Sequence, residues 1–530
     1  MSIALWVLVA LALGLLALLV WDLLQRRHAL LRTYPILGHA RWLLEKVGPE
    51  LRQYWFAPDK AERPFNRTQR NWVYQTSKGV QNTFGFGTEA ELDTTPNYLI
   101  IRHAPFPHAA PTAGQPTGPP RYALPSAKVL GGHRGRRHAF RPDSVINVSA
   151  MSYGSLSGPA VHALNQGAKQ VGCLQNTGEG GLSEFHRHGG ELIYQIGTGY
   201  FGCRDSKGNF SLPELKERIA EAPIRALEIK LSQGAKPGLG GLLPAAKVTD
   251  EIAAVRKVPA HHDCVSPSRH SAFGDVDELL DFVEHLADET GLPVGIKSAV
   301  GEDAVWAELA RLMATTDRGV DFVTVDGGEG GTGAAPLVFT DHVSVPFKIG
   351  FARVYSAFAR EDMARHVTFI GAGRLGFPEA ALFAFALGCD MINVAREAML
   401  SIGCVQAQIC HTGRCPVGVA TQSKWLARGV DPENKANRLA AYVTALRAEI
   451  LSLSRTCGVA HPALVSPDHL EIIDERFGSN GVRELFGYEE EWGTHPLGEL
   501  EGLLEAIDED LVEEQRAEAG AHGVTPFPAA

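Results

Sequence analysis

Three cysteines crowd into the segment GCVQAQICHTGRCPVGVATQ: Cys404, Cys410 and Cys415, with five and four residues between them and Pro416 directly after the last. Soft thiolates at short, unequal spacing followed by proline fit a loop wrapped around an iron–sulfur cluster. Three such ligands without a fourth nearby cysteine fit a three-iron one. Zinc competes for the set, with His411 as an added ligand, although its usual pattern is paired C-x2-C knuckles. Three unligated core thiols are the remaining alternative. Eight cysteines in 530 residues are too few for a disulfide framework, so a reducing compartment is expected.

Two glycine-rich stretches carry a second chemistry, DGGEGGTGAAP at 326–336 and GAGRLG at 371–376. Glycines let backbone N–H groups close around an anion, and Arg374 adds a charge-assisted contact, so a phosphorylated cofactor is expected there. Lys297 closes the run VGIK and Lys230 sits in LEIKLSQGAKPG. A lysine at such a strand end can stabilise negative charge on a reduced flavin ring, or it can be one half of a buried ion pair. Gln195 and Asn176 are candidates to hydrogen-bond the ring edge, and Glu179 to touch substrate or move a proton. His261, His262 and Asp263 are adjacent, so their side chains diverge, and a loop role at the site mouth is expected for them rather than a metal site.

Eight short apolar runs position these residues: 145–149, 173–176, 192–196, 227–231, 294–297, 322–325, 368–370 and 391–394. Most end at Gly, Ser or a charged residue, and each is followed by a helical stretch. That alternation predicts a (β/α)8 TIM barrel with its chemistry at the C-terminal ends of the strands, with an open doubly wound sheet as the alternative. Residues 141–425 form the predicted barrel and 426–530 a helical extension with an acidic tail. Residues 26–140 read as an arm packing on the barrel, with short helices broken at Pro35 and Pro49 and an extended Pro-rich stretch around 105–125.

Residues 3–21 are uncharged and apolar, long enough to cross a bilayer, and Arg26, Arg27 and Arg32 follow. A single-pass anchor over 1–25 with the catalytic part in the cytoplasm is expected, a cleaved signal peptide being the alternative. The net charge of -10, without a long basic run, argues against nucleic acid as a partner.

With these residues identified, the chain resembles the FMN-binding synthase domain of glutamate synthases over about residues 145–425. The matching segments are SAMSYGSLS, QNTGEGG, LEIKLSQGAKPGLGG, AKVTDEIA, DGGEGGTGAAP and CHTGRCPVGVATQ. PFNRTQRNWVYQTSKG in the arm resembles the stand-alone subgroup of FMN-binding glutamate synthase family proteins. The resemblance implies FMN contacts from Ser149, Ala150, Met151, Ser152, Gln195, Lys297, Gly328, Gly331 and Thr332, with Gly371, Gly373 and Arg374 near its phosphate. It implies a 3Fe-4S cluster on Cys404, Cys410 and Cys415. The implied reaction is reduction of 2-iminoglutarate, formed from 2-oxoglutarate and ammonia, to L-glutamate, which makes the chain an FMN-dependent oxidoreductase acting on CH-NH2 donors.

Departures from the family pattern bear on substrate. Ser2 stands after Met1 where a glutaminase begins with cysteine, so ammonia is expected free or from a partner. The family's IKQVASGRFG reads IYQIGTGYFG here, with Tyr194 for Lys and Thr198 for Ser in the region that holds the dicarboxylate. Arg225 is a candidate to compensate, and Tyr194→Lys is expected to improve 2-oxoglutarate binding. The alternative is an FMN/iron–sulfur oxidoreductase or electron-transfer protein with a different amine or oxo-acid substrate. No Rossmann fingerprint stands outside the barrel loops, so electrons are expected from a separate donor: a ferredoxin, a reductase subunit or a membrane carrier.

Overall fold

The computed structural model describes residues 3–25, 27–80, 83, 85–92, 94–109, 124–476, 478–496, 500 and 502–505. Arg26, the middle of the Pro-rich stretch and the acidic tail lie outside the described residues. The chain divides into two compact units, Met1–Asn71 and Trp72–Ala530.

In the first unit, the apolar helix Ile3–Leu24 is long and apolar enough to cross a membrane. Its last turn carries Asp22, whose buried carboxylate accepts the Ile36 N–H at 2.8 Å and meets His39 Nε2 at 3.0 Å. Pro49 does not end a helix, as the sequence reading expects. It sits in the last turn of the helix His39–Leu51, which runs on into a single wide turn at Arg52–Phe56.

The second unit is built on a closed parallel barrel. Its strands are β1 (Ile146–Val148), β2 (Gln175–Asn176), β3 (Leu192–Ile196), β4 (Ile224–Lys230), β5 (Val294–Ala299), β6 (Phe322–Asp326), β7 (Thr368–Ala372) and β8 (Met391–Val394). Neighbours in sequence pair in parallel, and β8 closes on β1 with Ile392 opposite Ile146. The eight strands are the eight runs read from the sequence. Both faces of such strands are buried, one inside the barrel and one under helices, which is why the runs are apolar throughout rather than alternating. Leu130, Phe140, Leu174, Ile193, Ala226, Phe322, Ile370 and Met391 form the core cluster that plugs the interior.

Elements outside the barrel fix its ends. Arg136 holds Glu284 at 2.6 Å and Asp321, just before β6, at 3.0 Å. The helix Pro432–Thr456, capped by Asp431 accepting the Asn434 N–H at 2.8 Å, packs on the helix Gly158–Gln170. A Cβ at Gly167 would stand 2.8 Å from Ala436 O, so only glycine permits that approach. Beyond this helix, Leu470–Ile473 pairs antiparallel with Leu99–Ile101 and with Ser479–Gly481.

Candidate active site

Above the apolar plug, the barrel interior turns polar. Glu228 on β4 is wholly buried. Its carboxylate accepts hydrogen bonds from Asn176 Nδ2 at 2.7 Å, Gln195 Nε2 at 2.5 Å and Thr324 Oγ1 at 2.7 Å. Beside it, Lys297 Nζ on β5 lies 3.5 Å from Asp326 Oδ2 at the end of β6. Burial works against the ammonium, but Asp326 and Glu228 outweigh it and hold its pKa above the usual lysine value.

Closer to the mouth, Lys230 at the end of β4 pairs with Glu179 at 2.9 Å and donates to Gln233 Oε1 at 2.8 Å. Burial opposes the charge on Glu179, yet Lys230, Lys236 and Arg256 pull its pKa below the ordinary carboxylate value. Glu179 is therefore an ionised acceptor near neutral pH, not a stored proton. Burial and the neighbouring Lys230 lower the pKa of Lys236. His270, pushed by burial down to about 4, bridges Lys230 O at 2.9 Å and the Tyr200 hydroxyl at 3.2 Å.

Glycines bring the loops after β4, β6 and β7 into contact. A Cβ at Gly234 would stand 1.8 Å from Gly327 O, and Gly234 N–H donates to Asp326 Oδ2 at 3.1 Å. Gly373 has φ +135°, a conformation side chains reject, and Arg374 follows in the left-handed region at +57°. The far end of this loop is held by the Tyr442 hydroxyl, which donates to Gly376 O at 2.8 Å. Arg396, after β8, donates to Glu329 O, and a Cβ at Gly331 would meet its side chain. Thr332 closes a local turn with Ala334.

Some of the residues singled out in the sequence lie elsewhere. Arg225 is the second residue of β4, at the opposite end of the barrel, where it pairs with Glu191 at 3.3 Å and covers the Phe140 ring. Tyr194 alternates with Gln195 and so points out through the wall, where its buried hydroxyl donates to Phe201 O at 3.2 Å. A Cβ at Gly371 would meet Leu375, Phe347 and Cys389, and the Gly328 N–H donates to Val345 O at 2.9 Å. Thr198 Oγ1 donates to Pro267 O at 2.7 Å and supports the loop beyond it. Ser149 to Ser152 follow β1, with Ser149 N–H donating to Val394 O and Ser152 Oγ accepting from Arg256 at 3.3 Å. His261 pairs with Asp250, while Asp263 accepts the Ala245 N–H, two separate loop contacts.

Cys404, Cys410 and Cys415 lie on the loop after β8. Among the described residues no three His, Cys, Asp or Glu side chains gather as a set for one metal ion. The three thiols are nonetheless electrostatic neighbours. Burial pushes Cys404 up to about 12 against the Gln406 N–H, with Cys410 and Cys415 adding to the rise. Gln406 and Gln408 both take left-handed backbone. The loop is tied down by the Tyr74 hydroxyl, which donates to Cys404 O at 2.8 Å, and by Lys247, which donates to Cys410 O at 3.4 Å.

Sequence reasoning missed Glu228, Asp326, Lys236, Arg256, His270 and Arg396. Glu228 and Asp326 stood inside quoted motifs; Asp326 directly follows a buried run, and that place was the available signal, since an acid there must have partners, whereas Glu228 lies within its run.

A closed parallel barrel with buried cations and carboxylates at the C-terminal ends of its strands is the architecture of a barrel enzyme. Within that class, the chain belongs to the glutamate synthase family: the model of the conserved region in glutamate synthase matches residues 133–460. It is thus a glutamate synthase-like oxidoreductase. It is 37% identical over 476 residues to the glutamate synthase large subunit-like protein YerD of Bacillus subtilis, covering 84% of this chain and 90% of that one. It is 35% identical over 323 residues to the archaeal glutamate synthase [NADPH] of Methanocaldococcus jannaschii, covering 60% of this chain and 59% of that relative's length. Among solved structures, the recombinant flavin-binding domain of baker's yeast flavocytochrome b2 is similar at a TM-score of 0.44 and 16% identity, over 79% of this chain and 88% of that one.

Proposed function

We propose that this chain reduces 2-iminoglutarate, formed from 2-oxoglutarate and ammonia, to L-glutamate, using FMN and a 3Fe-4S cluster, from a single-pass membrane anchor. The observation that carries the proposal is the buried layer of Asn176, Gln195, Glu228 and Lys297 beneath touching glycine loops. These residues fit the flavin. Gln195 supplies a hydrogen-bonding amide, Lys297 a fixed positive charge, and Gly373 and Arg374 a loop for the phosphate. When bound, FMN supplies the hydride. Lys297 is placed to offset negative charge on the reduced ring. Lys230, Lys236 and Arg256 surround the ionised Glu179 with positive charge at the mouth, which suits an anionic substrate. Hydride addition to C2 of the imine leaves its nitrogen needing a proton. Buried lysines at the mouth can hold one there, whereas neutral His270 cannot.

The cysteine loop fits the cluster by donor chemistry. In a multi-iron cluster each thiolate binds a different iron, so the sulfurs stand further apart than around one ion. When bound, the cluster passes single electrons between a separate donor (a ferredoxin, a reductase subunit or a membrane carrier) and the flavin. Arg27 and Arg32, after the apolar helix, favour a cytoplasmic catalytic unit.

The test is anaerobic. The full chain in detergent is reduced until its flavin bleaches, and 2-oxoglutarate with ammonium is added. Return of flavin absorbance with glutamate formation is expected. Flavin that stays reduced refutes the substrate assignment and favours another amine or oxo acid.

A further inference from the structure

An amide side chain presents two ends of nearly equal shape and opposite polarity, so which end faces a ligand is decided by its neighbours. In this barrel the decision is relayed through three residues. The Gly178 N–H can only donate, and it meets Asn176 Oδ1 at 2.9 Å. The amino end of Asn176 is thereby turned to Glu228 Oε2, at 2.7 Å. The same carboxylate oxygen stands 2.5 Å from the Gln195 amide and takes its amino end as well. Thr324 Oγ1 occupies the other oxygen of Glu228 at 2.7 Å. With its amino end committed, Gln195 keeps Oε1 for a ligand, and no protein donor meets that atom among the described residues.

We infer that Glu228 is a positioning residue for the flavin, fixing Gln195 so that it offers an acceptor and not a donor to the ring edge. This rests on the FMN assignment above. The oxidised isoalloxazine carries a single ring N–H, at N3, and its other polar edge atoms accept. An acceptor at Gln195 therefore selects N3–H. Glu228 itself touches no ligand in this role. It acts through Gln195 and belongs to the fully bonded polar layer that makes a unique orientation affordable inside a low-dielectric barrel.

The experiment titrates the flavin-free full-length chain with FMN and with N3-methyl-FMN, following quenching of flavin fluorescence. The wild-type chain should prefer FMN by on the order of 30-fold or more, because the methyl group removes the donor that Oε1 needs. Glu228→Gln should retain that preference: its amide oxygen takes the place of Oε2 while its amino group turns to the Thr324 hydroxyl. Glu228→Met removes the acceptor, frees Gln195 to turn, and should bring the two affinities to within about threefold of each other. Equal binding of both flavins by the wild-type chain overturns the inference, as does a folded Glu228→Met variant with the full preference. Should that variant not fold, Gln195→Leu reads the same loss of preference, and a preference it keeps overturns the inference. A wild-type chain that takes up neither flavin refutes the cofactor assignment instead.

Discussion

Replacing Lys297 with Met tests whether the charge on β5 holds the site together. Lys297 Nζ lies 3.5 Å from Asp326 Oδ2, and Glu228 and Glu179 act on the same charge. At an effective dielectric of about 20, one such pair is worth about 5 kcal/mol, part of which is offset by stripping water from the ammonium. Met fills the volume but leaves buried carboxylates without their nearest cation, so a net loss of about 3 kcal/mol is expected. For a barrel of this size that lowers the melting temperature by about 5 °C. In the wild-type chain the raised folded pKa makes this contribution fully present below the unfolded lysine value of about 10.4, and it is lost as pH rises through the folded pKa. Melting followed by circular dichroism near neutral pH, with flavin content measured on the same preparation, reads both effects. A Lys297→Met chain that melts with the wild type and retains its flavin refutes the account of this layer.

Three further outcomes follow from the same geometry. Burial lowers His186 to about 3 and His270 and His461 to about 4, so the unfolded chain binds protons first. Stability should be complete above about pH 6.5 and fall toward pH 4 by about 3 kcal/mol per histidine, and His461→Gln should reduce the difference between urea midpoints at about pH 7 and pH 5; a flat profile contradicts this. Tyr194→Lys, expected from the sequence to improve 2-oxoglutarate binding, should instead cost about 3–5 kcal/mol by burying an unpaired ammonium outside the barrel wall, and a gain in binding at wild-type stability would reverse that assignment. Gly234→Ala forces a methyl group to within 1.8 Å of Gly327 O, so flavin content should fall by about tenfold or more; a fully flavinated variant contradicts the contact.

The barrel was legible because each strand is a short apolar run ended by a polar or small residue, which parallel strands buried on both faces require. The residues inside the mouth were legible where they stood at or near the end of a run, as Lys297 and Lys230 do. Tyr194 and Gln195 were both assigned to the ligand side, although period-two alternation forbids neighbours on a strand from sharing a face. Arg225 was misplaced because β4 begins at Ile224, three residues before the apolar run that announced it, which sets Arg225 at the wrong end. Glu228 was invisible for a different reason. A lone acid in a strand reads as a solvent-facing position, and its three donors come from β2, β3 and β6, remote in sequence.

The touching backbones at Gly234 and Gly327 divide the mouth into a hub and a rim. At the hub a side chain on Gly234 collides with the Gly327 carbonyl and one on Gly327 with Phe347 and Glu329, so mutation has no room to explore there. The rim is different: the stretch from Ser266 to Phe273 hangs on Thr198, which holds Pro267 O, and on the Tyr200 hydroxyl, which accepts the Ser271 and Ala272 N–H groups. Its exposed members, Pro267, Ser268, Arg269, Ser271 and Ala272, can be exchanged without moving those anchors. On the proposed function, libraries aimed at a new oxo acid belong on that rim, and lineages that diverged in substrate while keeping the flavin should differ there first.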